Sequence, residues 1–412
     1  MSATPSPSPP HPRAPSDAGA ALRPVPETRP VASRLGFLVK TGSLEVQLSD
    51  GSRRFLRGSS PGPAAEIVVH RPGLAGRLVR RGALGLAEAF LDGDFDSPDL
   101  PTFLELMIRN TEAWLDTPVG RLREPASRAW DRLRRPRPDG VRSMREHYDL
   151  GNEFYALWLD DSMTYSSAVF EDSDETLEAA QDRKRRLLAE DAQIRPGDHV
   201  LETGTGWGSF AVYAAQELGC RVTTITIARK QAEFARQAAQ RAGVADRVEV
   251  LLQDYREITG TFDRAVSVEM IESIDERRWP GYLRTVARAL RPGGRFAMQS
   301  ITVAERHWPT HRRHEDFVMA YIFPGGRIPA VSVLRRLTAR AGFRWESDRE
   351  IGSSYALTLA EWNRRFTAAA DQVQALGFDR RFRRMWTYYL SYCEAGFRTG
   401  WVGDKQVALV RT

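Results

Sequence analysis

Cysteine is nearly absent: the 412 residues hold two, Cys220 and Cys393, far apart in the chain. Such a pair builds neither a disulfide framework nor a zinc cluster, so a reducing, cytoplasmic setting is expected. Long apolar runs are missing as well. No stretch approaches the roughly 18 residues that a membrane span requires, and the amino-terminal residues hold no hydrophobic segment of the kind a secretory signal uses. Histidine is thin, with seven in the chain. His307, His311 and His314 have helical spacing, but Arg306, Arg312 and Arg313 beside them would repel a cation. With no carboxylate or cysteine pattern to complete a ligand set, no metal site is expected, and the segment reads as a solvated or lipid-facing helix.

What is present suits a globular protein of two domains, with 42% hydrophobic and 27% charged residues. The net charge of +6 and pI near 9.5 favour an acidic partner. An anionic membrane surface and nucleic acid both qualify, and charge alone does not choose between them.

Residues 1–33 carry nine of the 24 prolines and few large apolar side chains, so they read as a disordered tail. Residues 34–120 read as a small α+β domain. Leu44 to Leu48 alternates like a half-buried strand, Ser49-Asp50-Gly51 is a turn, and Ile67 to His70 is a second strand. Leu84 to Leu91 and Leu100 to Ile108 read as helices, the second started by Asp99 and Pro101. Residues 121–141 form a connector rich in arginine, including Arg132, Arg134, Arg135 and Arg137. A solvated linker and a segment resting on anionic lipid both fit it, each basic side chain near such a surface contributing about 1 kcal/mol. No internal repeat is visible.

Residues 142–412 alternate strands and helices. A helix is expected from Thr176 to Asp191, then strands at 199–203, 221–225, 248–252, 264–268 and 295–300. Helices at about 207–218, 229–242 and 277–290 separate them. This order predicts a parallel sheet covered on both faces, with ligands at the carboxyl ends of its strands. Farther on, Phe382, Met385, Trp386, Tyr388, Tyr389 and Tyr392 recur at helical spacing and read mostly as core.

The run Glu202-Thr203-Gly204-Thr205-Gly206-Trp207-Gly208 is a strand entering a glycine turn and a helix. Glycines there permit positive φ and let a ligand approach the backbone. The acidic Glu202 suits a cationic ligand, such as the methionyl amino group of S-adenosylmethionine, better than a pyrophosphate. Thr226 and Gln231 offer neutral hydrogen-bonding groups after the second strand. Asp254 and Tyr255, after the third, offer an acceptor for an adenine and a ring to pack on it.

Several ordered motifs extend this reading: Glu146-His147-Tyr148-Asp149-Leu150-Gly151-Asn152, Thr164-Tyr165-Ser166-Ser167-Ala168, the glycine turn, Tyr321-Ile322-Phe323-Pro324-Gly325-Gly326, and Tyr355-Ala356-Leu357-Thr358-Leu359. Together they resemble the cyclopropane-fatty-acyl-phospholipid synthases and mycolic acid cyclopropane synthases over about residues 142–412. Residues 35–120 look like the amino-terminal domain of the phospholipid-using members. The resemblance implies an α/β, Rossmann-like methyltransferase sheet preceded by a small α+β domain. It also implies transfer of a methyl group from S-adenosylmethionine to the cis double bond of an unsaturated phospholipid. That substrate would lie in an anionic membrane surface reached peripherally, with no role for nucleic acid; a homodimer is compatible with the sequence.

By the same resemblance Tyr165, Ser166, Gly204, Thr205, Gly206, Thr226, Gln231 and Tyr255 would line the cofactor site, beside Glu202 and Asp254. A bicarbonate ion serving as general base would be held at Ser167, Glu272, Gln299, Ile301 and Tyr355. Ser167 stands where the family often has cysteine, Gln299 and Ser273 where it often has histidine. An alkene is a weak nucleophile, and its attack on a sulfonium methyl leaves a carbocation that carboxylate and aromatic groups stabilise. Glu272 and Tyr355 are the candidates, with Tyr321 and Phe323 as walls. Glu269, read as one helical turn before Glu272, is taken as a neighbour without a role of its own. Cyclopropane, methylene and methyl-branched products all remain open.

Overall fold

The computed structural model describes residues 39–111 and 150–412. The tail 1–33, the connector 121–141 and the Glu146–Asp149 part of the first motif lie outside the described residues.

The alternating segment Thr41–Gln47 (β1) buries Leu44 and half-buries Val46. It pairs antiparallel with Arg53–Arg57 (β2) and parallel with Ser60–Val69 (β3), and Phe95–Asp96 (β4) closes a sheet ordered β2-β1-β3-β4. The helix Leu100–Arg109 starts as expected, with the Asp99 carboxylate accepting from the Thr102 amide at 3.0 Å. The preceding helix runs from Leu74 rather than Leu84, because the chain resumes its helical course after a break at Gly82, φ 56°. These elements share one continuous core with Trp386, Tyr388 and Tyr389 of the helix Arg380–Arg398, so the small domain is packed on the larger one. Arg384 of that helix fastens the joint, donating to the carbonyls of Phe90 and Phe95 at 2.5 and 2.8 Å.

The larger domain is built on seven strands: His199–Thr203 (β5), Arg221–Thr226 (β6), Val248–Leu252 (β7), Phe262–Val268 (β8), Leu290–Val303 (β9), Phe343–Glu350 (β10) and Val402–Arg411 (β11). Their order is β10-β11-β9-β8-β5-β6-β7. β5 to β9 are parallel, as expected, while β11 inserts antiparallel between β9 and β10. The order reverses between β5 and β8, which opens a crevice at their carboxyl ends.

The histidine segment corrects an expectation. His307 and His311 are buried rather than solvated; His307 stacks on Trp401 at 3.5 Å, and His311 Nε2 accepts from the Ile328 amide. Burial, with Arg327 nearby, pulls His311 down to about 3, so it is a neutral core residue. Among the described residues no group of His, Cys, Asp and Glu is arranged to hold a metal ion, and no helix is long and apolar enough to cross a membrane.

Candidate active site

A cavity of about 340 Å³ opens at the carboxyl ends of β5, β6 and β7. All ten residues expected around a cofactor line it: Tyr165, Ser166, Glu202, Gly204, Thr205, Gly206, Thr226, Gln231, Asp254 and Tyr255. The chain turns out of β5 through Gly204 and Gly206, at φ 92° and 51°. A Cβ built on Gly206 would meet no protein atom within 4 Å. Burial pushes the Glu202 carboxyl up to about 8, against the lowering effect of the Thr224 hydroxyl that donates to it at 2.5 Å. A cationic group arriving beside Glu202 would favour its ionised form. The Thr226 hydroxyl donates to Gln231 Oε1 at 3.0 Å, fixing both residues at the end of β6. Asp254 keeps a second commitment: Arg256 holds both of its oxygens, at 2.8 and 2.9 Å, and holds its carboxyl below the usual range. Gln253 and Lys184 also line the cavity, and neither was singled out in the sequence.

Next to this cavity lies a buried polar ring, and its centre differs from the expected one. Ser167, Glu272, Gln299, Ile301 and Tyr355 do gather there, but three of them converge on Glu269. The Ser167 amide and Gln299 Nε2 donate to its Oε1 at 2.9 and 2.7 Å, and the Tyr355 hydroxyl donates to its Oε2 at 2.7 Å. The Ser167 hydroxyl points elsewhere, to the Ala168 carbonyl. Glu272 is paired with the Ile301 amide at 2.5 Å. The donors expected to hold a bicarbonate ion are therefore occupied by carboxylates of the chain itself, and the residues present do not fit the ion.

Backbone geometry explains the change of centre. Glu269 follows β8 with φ 48°, a left-handed conformation rare outside glycine, and its amide donates to the Gln299 carbonyl at 2.9 Å. The first helical residues beyond it are the 3-10 turn Ile271–Ser273, so Glu269 lies outside any helix and is not stacked with Glu272 on one helix face. A non-glycine residue held at positive φ costs on the order of 1–3 kcal/mol and persists where surrounding contacts enforce it, often at functional sites.

Electrostatics sort the carboxyls. Burial, then the Glu269 charge, pushes Glu272 up to about 8. The same two causes, with Glu272, push Asp404 well above its ordinary range, and Asp404 hydrogen-bonds Glu269. Burial raises Glu269 too, but the buried Lys184 ammonium opposes this, as do the Tyr355, Ser167 and Gln299 donors. Of the three, Glu269 is therefore the carboxyl whose ionised form the site favours most, while burial and neighbouring charge press Glu272 and Asp404 toward the protonated form. Aromatic rings complete the wall. Tyr355 stacks on Phe397 at 4.4 Å, and the Tyr165 and Tyr389 hydroxyls pair at 2.9 Å. Tyr321, expected as a wall, instead donates to Glu88 of the small domain at 2.7 Å.

A seven-stranded sheet in this order, with a glycine turn after β5, the middle of its five parallel strands, and a buried acid at the cavity, defines a Rossmann-like, S-adenosylmethionine-dependent methyltransferase. A sequence model of the mycolic acid cyclopropane synthetase family matches residues 136–407, and the chain belongs to that family. It is 36% identical over 380 residues to the tuberculostearic acid methyltransferase of Mycobacterium tuberculosis, covering 89% of this chain and 88% of that one. It is 34% identical over 348 residues to the cyclopropane-fatty-acyl-phospholipid synthase of Escherichia coli, covering 83% and 86%. Among solved structures, a mycolic acid cyclopropane synthase complexed with SAH and CTAB superposes with a TM-score of 0.62 at 27% identity, covering 66% of this chain and 98% of that one.

Proposed function

We propose that the enzyme methylates a carbon of the cis double bond in an unsaturated acyl chain of a membrane phospholipid. The observation that carries this reading is a buried carboxyl, Glu269, fixed by three donors and set among aromatic rings at the edge of the cofactor cavity. Methylation of a nitrogen or oxygen proceeds from a lone pair and needs no acceptor for a carbon-bound proton. Methylation of an alkene needs a site free of water, electron-rich faces for the cation, and a base for the final proton. Both relatives named above, one a fatty-acyl-phospholipid synthase and one a tuberculostearic acid methyltransferase, support the same substrate class.

In this reading the glycine turn admits the cofactor's methionyl end against Glu202, while Thr226, Gln231, Asp254 and Tyr255 take its nucleoside end. The cofactor supplies an electrophilic methyl group. Tyr165 presents its ring to the developing cation, Tyr355 holds the Glu269 carboxylate, and the packed aromatic wall excludes water. Expression in cells fed methionine with a deuterated methyl group, followed by mass spectrometry of extracted phospholipids, should show unsaturated acyl chains gaining one labelled carbon. Lipids without the label would sink the proposal.

The enzyme would meet this substrate at an anionic bilayer surface, supported by the net charge of +6 and the arginines of 121–141. Wild-type protein should sediment with anionic vesicles and release as salt rises. Changing Arg132, Arg134, Arg135 and Arg137 to glutamine should weaken that binding by roughly tenfold or more. Equal sedimentation with neutral and anionic vesicles, indifferent to salt, would count against the surface role.

A further inference from the structure

We infer that Glu269 is the proton acceptor of this reaction, a carboxylate of the chain doing the work that the family resemblance assigns to a bicarbonate ion. The inference rests on the function proposed above and assigns one of its steps. Of the five positions expected around the ion, Ser167, Gln299 and Tyr355 donate to Glu269, and Ile301 donates to Glu272. An added anion would find those donors taken and would face the Glu269 charge with Glu272 and Asp404 close by. Among these residues Glu269 alone also lines the cofactor cavity, where a methyl group would be transferred.

The step balances without another reagent. The alkene π pair bonds to the transferred methyl as the C–S bond breaks and sulfur keeps its electron pair. The neighbouring carbon is left cationic. Glu269 takes a proton from the added methyl, and the C–H pair closes a cyclopropane ring or, after a 1,2-hydride shift, forms an exocyclic double bond. The proton then leaves Glu269 for solvent. Burial makes the carboxylate a stronger base than one in water, and the fixed donors hold it in one orientation without neutralising it.

Two variants test the inference. Glu269→Gln keeps the size and loses the base. Glu269→Gly removes the carboxylate at a φ that glycine accepts and vacates the donors. Phospholipid methylation is measured in carbonate-free buffer with and without added bicarbonate, cofactor affinity by calorimetry, and binding of ¹³C-bicarbonate by NMR. Wild-type turnover should ignore bicarbonate, and the wild-type protein should not bind the ion. Glu269→Gln should keep its cofactor affinity and lose about 10²-fold or more in turnover. Glu269→Gly should bind bicarbonate and recover part of its activity in its presence. Saturable bicarbonate binding by the wild type, a wild-type rate that depends on the ion, or Glu269→Gln turnover within about threefold of wild type would each overturn the assignment. Failure of the wild type to methylate any unsaturated phospholipid would sink the substrate reading instead, while the ion-binding measurements would still judge Glu269.

Discussion

Replacing Gly206 with valine is expected to abolish S-adenosylmethionine binding in a protein that remains folded. Two separate effects act at this position. At φ 51° a β-branched residue is strained, by about 1–3 kcal/mol, so the turn between β5 and the helix Ser209–Glu217 would shift to relieve it. The added side chain would also enter the cavity, since no protein atom lies within 4 Å of a Cβ built there. That open space makes the substitution tolerable to the fold and damaging to the ligand. Gly208, two residues on, offers the contrast: a Cβ there would come within 2.9 Å of Ala235 Cβ, so its loss would disturb packing. Calorimetry should register no cofactor binding by Gly206→Val at concentrations about 100-fold above the wild-type Kd, the equivalent of about 2.7 kcal/mol lost. Circular dichroism should show a cooperative melt. Unchanged affinity in a folded variant would remove this turn from the cofactor site.

The parts of the fold that repeat were legible in the sequence, and the parts that interrupt were not. β5 to β9 follow apolar runs bounded by turn residues, so strand and helix alternation could be read to within a few residues. β10 escaped because it is an edge strand with a mostly solvated sequence, Phe343-Arg344-Trp345-Glu346-Ser347-Asp348-Arg349-Glu350. β11 escaped because Asp404 and Gln406 break its hydrophobic pattern; both are buried, turned toward Gln299 in the polar ring. The ten residues around the cavity were legible because each sits at a strand end or in a motif beside one. Glu269 was not. Glutamates three apart suggest a helix face, and nothing in the residue itself announces a left-handed backbone. Lys184 was hidden for a related reason. Its helix, Leu177–Ala192, is crowded with charge, and the sequence does not say which charged side chains of an amphipathic helix turn inward.

That buried lysine carries the other large expected effect: Lys184→Met should move the acid limb of the pH–rate profile to higher pH. Lys184 is 2% exposed, its Nζ donating to the Ser166 hydroxyl at 2.6 Å. Burial pulls the ammonium down to about 7, and the Glu269 charge is the largest influence holding it up, with Asp160 and Asp404 assisting and Arg185 opposing. The influence is mutual, since Lys184 is the largest influence holding the Glu269 carboxyl down against burial. Tyr355, Gln299 and the Ser167 amide add to it, while Asp404 and Glu272 face Glu269 as carboxyls pressed toward the protonated form. With methionine in place of the ammonium, burial acts less opposed and the Glu269 carboxyl titrates higher. A base is active only once deprotonated, so activity that emerges as pH rises through the Glu269 pKa would emerge later in the variant. At a fixed pH below the new limb, each unit of displacement costs about tenfold in rate, and raising the pH should restore most of it. Rates measured from pH 5 to 9 at saturating cofactor, with cofactor affinity followed by calorimetry, separate this from a packing defect. A packing defect would depress turnover equally at every pH. A uniform loss would make Lys184 a support for the Ser166 hydroxyl alone, and an unshifted profile at full rate would remove it from the control of Glu269.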